Sequence, residues 1–153
     1  MRSASLVGCA VAAAVLGGCG GGGHGTSPRS DAQRTIAGRF ADAVLHGDTP
    51  RARALLLHAD DPAIDFLVRR ATSRWKHQRV AIAHEPRSSG SRWTFGYAGT
   101  RSFADGRFAR EDGSLLIVLA SSQAGPRVRY FAFVNVRSRF STHHDGQLLP
   151  SKR

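Results

Sequence analysis

The chain has 153 residues, a formal net charge of +11 and two cysteines. This length supports one hydrophobic core and excludes two domains of ordinary size. All 22 basic residues except Lys76 and Lys152 are arginine. Together with the many Ala and Gly residues, this bias indicates a GC-rich coding genome rather than a particular function.

The first nineteen residues have the layout of an export signal. Arg2 gives a short positive start, residues 4–16 form an apolar run with a single serine, and Leu-Gly-Gly-Cys follows at residues 16–19. The run is shorter than the roughly 20 apolar residues of a membrane-spanning helix. Its length fits the apolar region of a secretory signal.

The Leu-Gly-Gly-Cys sequence resembles the lipobox of bacterial lipoproteins. The resemblance implies cleavage between Gly18 and Cys19, and a lipid on the Cys19 thiol that anchors the chain to a membrane. Residues 1–18 would then be the signal peptide. Cys9 is a poorer candidate because few apolar residues precede it, and the alternative to lipidation is a secreted protein cut near Cys19 without lipid.

Cleavage would leave a mature chain with a net charge of +10, because only Arg2 is removed, and with Cys19 as its single cysteine. The fold must then be stabilised by its core, without an internal disulfide, in an oxidising compartment. Residues 19–29 are predicted to be the lipidated cysteine and a glycine-rich tether that spans roughly 15–20 Å. His24 is interpreted as a tether residue rather than a metal ligand.

Three helices are predicted at the start of the domain, which is assigned to residues 30–142. Ser30 and Gln33 form a predicted capping box, and Gly47 a predicted stop. Asp48 and Pro50 begin a second, short helix that includes residues 54–57, and Asp61-Pro62 begins a third. The apolar stripe predicted for the third helix is Ile64, Leu67, Val68, Ala71 and Trp75.

A change from helical to two-residue periodicity after Arg79 predicts a series of strands. They are expected at residues 80–84, 93–97, 100–103 and 108–110, and finally at about 127–140. Between these, the continuous apolar run at residues 115–120 predicts a central strand that is buried on both faces. Helices followed by consecutive strands predict an α+β fold in which N-terminal helices pack on one face of a mainly antiparallel sheet.

Strict alternation along the last strand predicts one face that mixes arginine and phenylalanine. This predicted interaction surface consists of Arg127, Arg129, Phe131, Phe133 and Arg137. Phenylalanines on a face that should contact water indicate that the outer side of the sheet is covered. The cover would be a homodimer partner or another envelope protein.

The order of elements resembles the nuclear transport factor 2-like superfamily, also described as cystatin-like α+β cone folds. The resemblance rests on residues 36–57, where an amphipathic helix, Gly47-Asp48, Pro50 and a Leu-Leu-Leu segment follow one another, and it covers residues 30–140. It implies a curved, cone-like sheet. It also implies one of three functions: an isomerase- or dehydratase-type enzyme, a binder of small ligands, or a protein-interaction domain.

The enzymes of that superfamily use an Asp–His or Asp–Tyr pair inside the cone. The candidates for this pocket are His84, Asp65, Tyr97 and Tyr130. None of them lies in a motif that matches those enzymes, so no residue is assigned as catalytic. The favoured hypothesis is a non-catalytic module that binds a small apolar ligand or a protein partner, and the alternative is a small isomerase or dehydratase with an acid–base pair.

Residues 143–153 are predicted to form a turn and a basic tail. His143, His144 and Asp145 have metal-ligand chemistry, but adjacent residues of an extended segment point to opposite sides, so neither a metal nor another cofactor is expected. The positive charge favours contact with lipid head groups or an anionic envelope polymer. Export argues against nucleic acid as a partner. The predicted location is the cell membrane or outer membrane, with the domain on the extracytoplasmic side.

Overall fold

The computed structural model of the protein describes residues 28–82 and 85–141. The helices are α1 (Pro28–Leu45), α2 (Thr49–Ala54) and α3 (Pro62–Trp75), and the strands are β1 (Arg79–Ile82), β2 (Arg87–Ser89), β3 (Arg92–Ser102), β4 (Phe108–Ser122) and β5 (Gly125–Ser141). Some predictions fall outside the described residues: the export signal, the junction at Gly18 and Cys19, the tether up to residue 27, His84, and the His143–Asp145 cluster with the tail that follows.

Local signals set most helix ends as predicted. Gly47 adopts a φ of 74°, and the N–H of Asp48 reaches back to the Ala43 carbonyl at 2.8 Å, which closes the last turn of α1. The carboxylates of Asp48 and Asp61 accept the N–H groups of Arg51 (3.0 Å) and Ala63 (2.8 Å) at the starts of α2 and α3. The predicted stop and both predicted starts are therefore confirmed.

Two helix boundaries differ from the predictions. The first helix includes Pro28, so Ser30 lies within its first turns and is not the N-cap. Because proline suits the first turn of a helix, Pro28 can begin it without loss of a hydrogen bond. The short α2 ends at Ala54, and the residues after it extend along β5, where Val128 donates to Leu55 (2.9 Å) and Leu57 donates to Val128 (2.9 Å).

The five strands form one sheet in which every pair is antiparallel. The strand order is β1-β3-β4-β5. The short strand β2 pairs with residues 92–94 of β3, next to the residues of β3 that pair with β1. The predicted class, α+β with helices followed by an antiparallel sheet, is confirmed. The apolar run at residues 115–120 belongs to β4, which pairs with β3 and β5 and so has the central position predicted for it. The prediction that both of its faces are buried was wrong, because Leu116, Val118 and Ala120 are partly exposed.

Two β-bulges break the alternation of β5. Leu119 pairs with Val128 and Val118 with Tyr130, so Arg129 is an extra residue. Further along, two residues of β5, Asn135 and Val136, lie opposite Gly113 alone, and Asn135 takes a φ of 54°. Each extra residue reverses the faces of the side chains that follow it.

The bulge at Arg129 overturns the predicted orientation of two phenylalanines. Phe131 packs against Phe40 of α1 with ring centroids 5.1 Å apart, and Phe133 packs edge-on against Tyr97 at 5.5 Å. Both side chains therefore face the helices, and the prediction that they share a solvent-facing surface with the arginines was wrong. The opposite face carries Tyr130, Ala132 and Val134 instead.

The helices cover one face of the sheet, which we call the inner face; the other is the outer face. Alternate residues of β3 and β4 point inward and are buried: Trp93, Phe95, Tyr97, Leu115, Ile117 and Leu119. On α3, Val68, Ala71 and Trp75 are buried as predicted, whereas Leu67 is exposed. Among the described residues no helix combines the length and apolar character needed to cross a membrane.

Candidate functional site

The predicted pocket residues do not come together. Tyr97 is buried in the core, whereas Tyr130 is 56% exposed on the outer face. Asp65 lies in the first turn of α3, where it pairs with Arg53 (2.9 Å) and Arg69 (2.7 Å). These three side chains therefore lie in different parts of the structure, and His84, the fourth candidate, lies outside the described residues.

A buried carboxylate on the inner face is the most unusual polar feature of the described residues. Arg74 donates to both oxygens of Glu111, from Nε at 3.0 Å and from Nη2 at 2.5 Å. The hydroxyl of Tyr97 donates at 3.0 Å, and Arg101 and Ser138 add longer contacts of 3.4 Å each. The side chain of Glu111 has no exposed surface.

The chemistry of this cluster favours a structural role over acid–base catalysis. Burial raises the pKa of Glu111, but the hydrogen bonds and charge of Arg74 and the Tyr97 hydroxyl outweigh it, so the pKa is lowered overall. Burial, followed by the charge of Glu111, raises the pKa of Tyr97. A general acid or base works best with a pKa near the working pH, and both groups are shifted away from neutrality.

The sequence contains one signal that places Glu111 on the inner face of the sheet. The alternation Leu115, Ile117, Leu119 extends backwards through Gly113 to Glu111. Because the extra residue of the second bulge lies on β5, the period of β4 is uninterrupted, and Glu111 falls on the inner face. Treating residues 108–110 and 115–120 as separate strands concealed this continuity.

The outer face of the sheet has an apolar centre. Register places Leu116 and Val118 of β4 beside Ala132 and Tyr130 of β5, all of them directed away from the helices. Of these four side chains, Tyr130 is exposed and the other three are half-buried. No helix or strand of the described ranges packs on this centre, which consists of Leu116, Val118, Tyr130, Ala132 and Val134 and is called the apolar stripe below.

An open depression of about 370 Å³ adjoins the apolar stripe. Small residues form its floor, and polar side chains border it; its lining is Gly96, Tyr97, Ala98, Asp112, Gly113, Ser114, Asn135 and Arg137. It lies where the second bulge separates the backbones of β4 and β5. Asp112 and Arg137 face each other across this pair of strands.

The three arginines of the predicted interaction surface have different positions. Arg137 borders the depression on the outer face. Arg129 is the exposed extra residue of the first bulge. Arg127 donates from Nη1 to the Ala54 carbonyl at 2.9 Å and so helps to hold the segment after α2 against β5.

Within residues 28–82 and 85–141, no three His, Cys, Asp or Glu side chains lie close enough together to bind a metal ion. Separately, the outer face carries apolar side chains, an open depression and charged side chains at its border. The chain matches no known protein family, and no curated protein is significantly similar to it in sequence.

Proposed function

We propose that the protein is a membrane-anchored envelope lipoprotein whose α+β domain binds a protein partner through the outer face of the sheet, without catalysis. The observation that carries this proposal is the apolar stripe, which lies on a sheet face opposite the helices. Apolar surface of this kind, bordered by polar residues, is typical of interaction sites. As part of this proposal, the domain is nuclear transport factor 2-like, which the order of its helices and antiparallel strands supports.

The charges around the stripe favour a partner of a different kind over a second copy of the chain. Arg79 and Arg137 project to the outer face, where Asp112 lies opposite Arg137. Two copies that met through this face would bring arginines together, which disfavours self-association. We therefore propose a partner with an apolar patch and acidic residues at its border.

Anchoring at Cys19 predicts a covalent fatty acyl group on the chain. We expect the full-length chain, produced in a bacterial host fed a clickable fatty acid, to carry the label. The Cys19→Ser variant should carry none, and Cys9→Ser, in which the lipobox cysteine is intact, should be labelled like the wild type. Equal labelling of the wild type and the Cys19→Ser variant would contradict anchoring at this residue.

Photo-crosslinking tests the outer face as the binding surface. A benzophenone amino acid at Tyr130 should give an adduct with one protein of defined mass in the native host. Phe66 is the matched control, because it is an aromatic residue of α3 that is 61% exposed against 56% for Tyr130. The Arg137→Glu substitution should reduce the Tyr130 adduct by reversing a charge at the border.

Three results would contradict this partner model. They are the absence of an adduct at Tyr130, equal adducts at Tyr130 and Phe66, and an adduct of lipid mass in place of a protein. The last of these would favour a small apolar ligand as the occupant of the stripe.

A further inference from the structure

One end of the domain carries several arginines, and none of them forms an ion pair with another described residue. Leu119 donates to the Ser91 carbonyl at 2.9 Å, so the β2–β3 and β4–β5 turns lie at the same end of the sheet. Arg87, Arg92 and Arg129 are exposed near these turns, and Arg29 and Arg127 are close to them. We call this group of five the basic end. Within the described residues none of them pairs with a carboxylate.

The opposite end of the sheet has a different charge arrangement. There Arg107 pairs with Asp105 at 2.7 Å, and Arg101 shares Glu111 with Arg74. The strand segments at the basic end, residues 87–94 and 116–130, contain no Asp or Glu. Along these strand segments the arginines therefore have no acidic neighbour, and the acidic residues nearest to the basic end in sequence are Asp31 of α1 and Glu85 before β2.

The chain also enters the domain at the basic end. Arg29, in the first turn of α1, donates from Nη2 to the Ser121 hydroxyl at 3.2 Å, beside the β4–β5 turn. Eight residues, most of them Gly, Ser or Thr, separate Cys19 from Pro28. Even fully extended, a segment of this length reaches at most about 30 Å. An anchor at Cys19 would thus keep the basic end, rather than the far end, next to the bilayer.

We propose that the basic end docks on the head groups of anionic phospholipids in the membrane that holds the anchor. The orientation of the domain relative to the bilayer rests on the proposed lipidation of Cys19, whereas the positive charge of the basic end is independent of it. Docked in this way, the strands would run away from the bilayer, and the apolar stripe would face sideways, accessible to a partner. Arginines near an anionic surface each strengthen binding about fivefold.

Vesicle flotation with residues 19–153 carrying Cys19→Ser, which lack both the lipid and the apolar run at residues 4–16, tests docking separately from lipidation. We expect binding to vesicles of phosphatidylcholine mixed with phosphatidylglycerol, none to phosphatidylcholine alone, and weakening as salt is added. The triple variant Arg87→Gln, Arg92→Gln, Arg129→Gln should lose about a hundredfold in affinity. The matched control, Arg70→Gln, Arg107→Gln, Arg139→Gln, removes the same charge elsewhere and should lose less than about fivefold.

The outcomes separate this proposal from the proposed function. Equal losses in the two triple variants would show that net charge alone drives binding, and would overturn the basic end as the docking site. Failure to bind phosphatidylglycerol vesicles would overturn docking, while fatty acid labelling at Cys19 would still support the anchor. Circular dichroism of each variant checks that its fold is intact.

Discussion

Replacement of Glu111 by Gln is expected to lower the free energy of unfolding by about 3 kcal/mol. The substitution removes the negative charge to which Arg74 donates twice and which Arg101 approaches at 3.4 Å. Loss of one partner from a buried pair leaves the other charge uncompensated. Because both arginines keep some solvent contact, we expect a loss at the lower end of the range for buried pairs. Chemical denaturation of the full-length Cys19→Ser chain measures it.

The control for this substitution is Asp42→Asn. Asp42 pairs with Arg51 at 2.9 Å and with His46 at 3.1 Å, but all three side chains are well exposed. Surface pairs of this kind contribute less than about 1 kcal/mol. If the two substitutions had equal effects, the buried cluster would not stabilise the fold more than a surface pair does.

The same variant predicts a change in the pH dependence of stability. Because the pKa of Glu111 is lowered in the folded state, its contribution is complete above the ordinary value of 4.5 and is lost as the pH falls through the folded value. The difference between wild type and Glu111→Gln should therefore shrink below about pH 4.5. The pKa of Tyr97 is raised in the folded state, so the contribution of Tyr97 to stability is complete below its ordinary value of 10 and should be lost as the pH rises above that value.

Replacement of Gly99 by Ala is expected to lower the free energy of unfolding by about 2–3 kcal/mol. A methyl group on Gly99 would lie 2.6 Å from a ring carbon of Trp75 and 2.7 Å from the carbonyl oxygen of Arg79. Trp75 is fully buried against Tyr97, and the carbonyl belongs to the backbone of β1, so neither can move without disturbing its own packing. The substitution should push α3 and β1 away from β3.

Gly38→Ala provides a control with the opposite expected sign. Gly38 lies inside α1, and a methyl group there would meet no atom within 4 Å. Alanine is the better helix former, so stability should rise by about 0.5–1 kcal/mol. Thermal and chemical unfolding of the two variants compare them directly. A neutral Gly99→Ala variant would mean that Trp75 does not approach β3 this closely in solution.

The parts of the fold that the sequence predicted are those that depend on neighbours along the chain. Gly47 ends α1 because it supplies a positive φ, and Asp48 and Asp61 begin helices because their carboxylates reach N–H groups two or three residues away. The turn at Gly106 likewise lies between β3 and β4, in the gap between the strands predicted at residues 100–103 and 108–110. Such interactions are complete within a few residues, so composition and spacing suffice to predict them.

The candidate site could not be predicted to the same extent, because its geometry depends on strand register. Arg129 is a bulge residue only by virtue of how β5 pairs with β4, and that single extra residue turns Phe131 and Phe133 inward. The arginines around Glu111 lie 37 and 10 residues away from it along the chain. No local pattern encodes either arrangement.

Taken alone, the sequence determined the three helices, the succession of antiparallel strands and the α+β class. The export signal, the anchor at Cys19 and the cone-like family resemblance remain predictions from sequence. Only the tertiary structure decided which face of β5 meets the helices, which side chains contact Glu111, and at which end of the sheet the arginines of the basic end lie. The physical reason is that caps and turns act over a few residues, whereas a one-residue shift in pairing reverses every side chain beyond it.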